Sequence, residues 1–305
     1  MGLFNNYQNG PGIPKYAPKK KGLSLFFDIF FRKIWKITGV NLLFFIFCLP
    51  LYIGFFAFSF MKNYELLLAL LIVLFLIFAV NIGPAMAGMT KVIRLFVIEK
   101  HSFILRDFFR GYRENFKKSL AIGLLDILVS ISAYASYNVY PYYAIKNDNK
   151  LFYIPMVITL GLALIVFMMN YYIFPMLVAT DLSLKNLIKN SFALAVVSIK
   201  QNIITTVFVV AFALFMFIIF LYTPPLFLIL IAVFPMALVW FIVCFNSYPV
   251  IQKYVINPYY DSIGKVNPEL SNDVDIVEEE TIFEDMGGKE KPIEKRKKTK
   301  GRRIS

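Results

Sequence analysis

Arg106-Asp107-Phe108-Phe109-Arg110-Gly111-Tyr112-Arg113-Glu114-Asn115-Phe116-Lys117-Lys118 lies between two long apolar runs. Arg106, Arg110, Arg113 and Lys117 recur at helical spacing, and Phe108, Phe109, Tyr112 and Phe116 recur on another face. That pattern predicts a helix lying in a membrane–water interface, with aromatics among the acyl chains and guanidinium groups among the headgroups. Outward from it, apolar residues come in blocks of about 20, the length that crosses roughly 30 Å of hydrocarbon.

Composition agrees with a lipid-embedded chain. Of 305 residues 59% are hydrophobic, and 33 are Phe. The net charge of +13 would raise nucleic-acid binding in a soluble protein. Here it fits positive residues gathered on the cytoplasmic side of a membrane, and no specific nucleic acid is expected. Cys48 and Cys244 both fall in apolar runs, far apart, with neither metal nor disulfide spacing. They read as small buried hydrophobes. The first 22 residues are polar, carry Lys19-Lys20-Lys21 and lack the apolar core of a cleavable signal. Met1-Gly2-Leu3-Phe4-Asn5-Asn6 lacks the Ser or Thr of a myristoylation signal.

In chain order, residues 23–36 predict a short amphipathic helix. Spans follow at about 37–60, 66–90, 119–140, 151–179, 203–222 and 226–248. Pro50 implies a kink in the first. A second amphipathic linker covers about 181–201, with Asp181 expected to cap its helix. Twenty-nine Lys and Arg fall before the first span, in alternate loops and after the sixth, whereas the other loops hold only Lys62, Lys146 and Lys150. The bias predicts both termini cytoplasmic. The domain plan is a polar segment 1–22, a transmembrane helical domain 23–256 and a charged tail 257–305. That tail is acidic, then basic, and is expected to be disordered.

One plan recurs. Trp35-Lys36, Phe116-Lys117 and Ile199-Lys200 each close an amphipathic stretch and precede an outgoing span. Each returning span then ends in an amide and a proline: Asn81 and Pro84, Asn170 and Pro175, Asn246 and Pro249. The expected fold is all-α, a polytopic membrane bundle of about six transmembrane helices with amphipathic interfacial elbows and a three-fold hairpin repeat.

Asp126 is the acidic residue well inside a predicted span, ~10 Å below the interface by helical rise. Ser130, Tyr134 and Tyr137 follow it on one stripe. An intramembrane carboxylate is costly and faces a cavity or a partner. Two readings stand: a site for a cation, proton or sugar-like ligand, or a carboxylate bonded to Asn41, Asn81, Asn170 or Asn202 as packing glue. The basic stretch offers a docking surface built of Arg106, Phe108, Arg110, Tyr112, Arg113, Phe116 and Lys117. His101 has no ligand partners at metal spacing. The chain carries no nucleophile elbow, phosphate loop, zinc helix or dinucleotide fingerprint, so no catalytic residue, metal or cofactor is expected.

Three stretches carry a resemblance: Asn41-Leu42-Leu43-Phe44-Phe45-Ile46-Phe47-Cys48-Leu49-Pro50; Ser102-Phe103 through Asn115-Phe116-Lys117; and Phe174-Pro175-Met176-Leu177-Val178-Ala179-Thr180-Asp181 with Leu184-Lys185-Asn186. They resemble the YesL-like family of bacterial integral membrane proteins, a domain of unknown function, over roughly residues 3–250. The resemblance implies a multi-pass protein of the bacterial cell membrane, associated with carbohydrate uptake, and brings no catalytic residue. The leading expectation is a non-enzymatic accessory or regulatory protein whose partners are the lipid bilayer and a carbohydrate transporter subunit. The alternative is a small-molecule or ion transporter or channel using the polar site around Asp126.

Overall fold

The computed structural model describes residues 22–269. The readings of residues 1–21 and of the acidic and basic runs after 269 lie outside the described residues. Of the described residues, those up to 258 belong to one compact unit and those from 259 to a second. In the second, the described part holds the Tyr259–Tyr260 ring pair and a Ser262 Oγ bond to Tyr259 O.

The described residues form ten α-helices: α1 (Gly22–Phe60), α2 (Tyr64–Val97), α3 (Ile104–Glu114), α4 (Phe116–Lys146), α5 (Tyr153–Ala179), α6 (Leu184–Val197), α7 (Ile199–Tyr222), α8 (Pro224–Val233), α9 (Pro235–Ile251) and α10 (Asn257–Ser262). A 3-10 turn precedes α5 and a π-helical segment, Gln252–Ile256, follows α9. Six helical stretches are long and apolar enough to cross a membrane. In hydrocarbon every backbone polar group must be met within the protein, and helices do this within one segment. The protein is a multi-pass helical membrane protein.

Three departures from the sequence reading have local causes. The amphipathic stretch 23–36 is continuous with the first span as α1. The cap of α6 is Ser183, whose Oγ accepts from Asn186 N, and Asp181 lies two residues outside it. The sixth span is broken, because Pro235 has no N–H to offer the carbonyl of Ile231. The chain turns out of helix at Phe234 (φ −142°, ψ −38°) between α8 and α9.

The returning spans α2, α5 and α9 all touch one another. Each outgoing span packs on its own return and on the preceding one: α4 on α5 and α2, α7 on α9 and α5, α1 on α2 and α9. That is a pseudo-three-fold arrangement of hairpins. The elbows repeat too, since α3 and α6 give way to α4 and α7 at Asn115 (φ −104°, ψ 8°) and Ser198 (φ −105°, ψ 30°). These two breaks fall just before Phe116-Lys117 and Ile199-Lys200. At Trp35-Lys36 the helix runs on unbroken.

The core occupies one end of the bundle, the end that carries the basic residues. Its buried residues are the later halves of the returning spans: Ala79 to Phe96, Met169 to Leu177 and Ala237 to Ile251. Small residues let the helices approach. A Cβ on Gly123 would sit 2.8 Å from Gly83 Cα, and one on Gly83 would collide with Ser119 O. Lipid tails are as apolar as leucine, so such close backbone packing, rather than hydrophobic burial, holds membrane helices together.

Candidate functional site

The elbow α3 has two faces. Its inner face is fixed on α2 by a second glycine contact, where a Cβ on Gly88 would come 2.8 Å from Phe108 O and one on Gly111 3.1 Å from Gly88 Cα. Phe108 is fully buried. The Phe47 ring of α1 stacks on Phe108 at 5.9 Å and on Tyr112 at 5.2 Å. Tyr112 donates its hydroxyl to Asn81 Oδ1 at 2.5 Å, and burial raises the phenol above its ordinary pKa. Thus Phe108 and Tyr112 face protein, where the sequence reading placed them in lipid. Periodicity identifies an apolar face but not what covers it.

The outer face is open. Leu105, Arg106, Phe109, Arg110, Arg113 and Glu114 line a groove of about 550 Å³. Leu105 and Phe109 are 62% and 40% exposed. The Arg106 guanidinium lies 5.9 Å from the Phe103 ring, and Asp107 Oδ2 accepts from Phe103 N, closing the first turn. Glu114 accepts from Arg110 Nε at 2.7 Å and from Lys91 Nζ. Those two bonds hold its carboxyl below the usual range, the Arg110 bond first. Phe116, half-buried, sits 5.7 Å from Tyr112, while Lys117 is exposed.

The intramembrane polar residues separate into distinct contacts. Asp126 Oδ1 accepts from Asn170 Nδ2 at 2.7 Å, joining α4 to α5. Ser130 Oγ turns to the Asp126 backbone carbonyl at 2.7 Å. Tyr134 is 73% exposed, so the stripe beyond Ser130 faces away from the bundle. Asn81 serves Tyr112 and the Ile77 carbonyl. Asn202 accepts from Tyr172 and donates to Ala195 O.

Asn41 belongs to the broken sixth span. Its Nδ2 donates to Ile231 O (3.1 Å) and Ala232 O (2.7 Å), and its Oδ1 accepts from Ala237 N (3.0 Å). It therefore satisfies both sides of the break that Pro235 makes. Of the expected asparagine set around Asp126, the hydrogen bonds bring only Asn170 to it.

Sequence reasoning missed the ties across the core. Trp240 Nε1 donates to Thr90 Oγ1 at 2.7 Å. Arg94 Nε donates to Tyr248 OH at 2.7 Å, with the guanidinium 5.2 Å from that ring. A cation at the end of an apolar span, one turn after Lys91, was the available signal for Arg94. His101 is exposed beside Phe103, and among the described residues no group of three or more His, Cys, Asp or Glu is placed to hold a metal.

Neither the curated proteins nor the solved structures contain a match to this chain. Residues 37–137, from within α1 through most of α4, match the model of a family described as a protein of unknown function, DUF624, and that stretch holds both glycine contacts and the whole of α3.

Proposed function

We propose that this integral membrane protein is a non-enzymatic accessory or regulatory component of a carbohydrate-uptake system, with both termini cytoplasmic and α3 as its docking surface. The observation that carries the reading is the two-faced elbow. A helix pinned by Gly88, Gly111, Phe108 and the Tyr112–Asn81 bond presents Leu105, Phe109 and three arginines in an open groove. A rigid surface mixing aromatic and arginine side chains suits protein recognition, since those residues dominate interface energetics. The link to carbohydrate uptake rests on the resemblance to YesL-like proteins, and the orientation on the Lys and Arg bias.

The test is purification in mild detergent. A carbohydrate transporter subunit is expected to co-purify with the wild type and to be lost with Phe109→Ser or Arg113→Glu at unchanged membrane level. Repeated recovery of no such subunit would reject the reading. The transporter alternative draws support from the Asp126–Asn170 pair alone. Asn41, Asn81 and Asn202 are committed to other contacts.

A further inference from the structure

The Asp126–Asn170 contact is incomplete in a specific way. Asn170 Nδ2 donates to Asp126 Oδ1, yet Asn170 Oδ1 is buried with no hydrogen-bond partner. Turning the amide by half a rotation does not help. It would set two oxygens 2.7 Å apart and bury Nδ2 without an acceptor. The pair lacks one donor, and a buried acceptor left unmet is costly.

Nearby groups do not supply it. Among the described residues the Asp126 carboxylate has Asn170 as its one hydrogen-bond partner and forms no salt bridge. Ser130 spends its proton on the Asp126 backbone carbonyl. The charged groups of α2 and α4 lie near their helix ends: Glu65, Lys91 and Arg94, and Lys117, Lys118 and Lys146. On α5, the hydroxyl of Tyr172 goes to Asn202 and that of Tyr171 pairs with Thr206.

We propose that Asp126 and Asn170 form a proton-binding site. Asp126 carries a proton on Oδ2 and donates it to Asn170 Oδ1, closing a neutral acid–amide ring across α4 and α5. The proton comes from bulk water and returns to it when the acid ionises. A carboxylic acid is a donor as well as an acceptor, and the neutral ring removes the cost of a bare carboxylate at membrane depth.

Infrared spectroscopy of the purified protein in phospholipid vesicles at neutral pH tests this. The wild type is expected to show a carboxylic-acid C=O band that moves on transfer to deuterium oxide and is absent in Asp126→Asn. That variant keeps an amide able to make both bonds, so it should fold. In Asn170→Leu the band should shift upward or disappear. Absence of the band in the wild type, or a band that Asn170→Leu leaves unchanged, would overturn the proposal.

Discussion

The two ends of the bundle are made of similar helices and are held in different ways. At the basic end, α2, α5 and α9 touch one another, Gly83 and Gly88 of α2 lie against α4 and α3, and the Trp240–Thr90 and Arg94–Tyr248 bonds cross the core. At the far end, Pro50, Leu51, Gly54, Phe55, Phe58 and Leu74 belong to an apolar groove between α1 and α2, and Leu128, Val157 and Phe215 are exposed. Glycine shows the difference: Gly83 touches the backbone of α4, whereas nothing lies within 4 Å of a Cβ on Gly161. Lipid covers apolar surface without help, so the far end needs little packing, while close approach and polar bonds must do the work at the basic end.

Substitutions can break that contrast. Gly83→Leu should have the largest effect and yield no folded protein in detergent, while Gly161→Leu should express and melt as the wild type; overpacking is costly only where the neighbour is backbone that cannot give. Next is Asn41→Leu, which leaves Ile231 O, Ala232 O and Ala237 N unmet at the helix break. A loss on the order of 2–4 kcal/mol is expected, read as a lowered unfolding midpoint. Tyr112→Phe removes one bond, to Asn81, and should cost about 1 kcal/mol.

The smallest effect concerns Glu114, whose bonds to Arg110 and Lys91 are largely solvated. Its folded pKa is lowered, so its contribution is present above the usual glutamate value of 4.5 and is lost as pH falls through the lower folded value. At neutral pH, Glu114→Gln should cost a few tenths of a kcal/mol, and less in high salt. The difference between the two proteins should fade on acidification, as unfolding midpoints across pH would show.

The span number was legible because lipid permits little besides helices of a set length, and the repeat was legible because Phe116-Lys117 and Ile199-Lys200 mark true helix starts. Partner choice was not. Asn41 and Asn170 are both intramembrane amides, but only the folded chain brings one to the gap at Pro235 and the other to Asp126. Gly83, Gly88, Gly111 and Gly123 mark close contacts only once α2 is known to cross α3 and α4. The orientation of α3 was ambiguous for the same reason, since its aromatic face suits protein or lipid equally.

Phe108 and Phe109 are adjacent on α3 and separate those two faces, one fully buried and the other in the outer groove. Thermal unfolding of Phe108→Ala and Phe109→Ala in mild detergent tests most directly whether α3 is a clamped elbow with a free outer surface. Phe108→Ala should lose about 3 kcal/mol, as a buried ring does. Phe109→Ala should stay within about 0.5 kcal/mol of the wild type. Equal losses, or a larger loss for Phe109→Ala, would contradict the account.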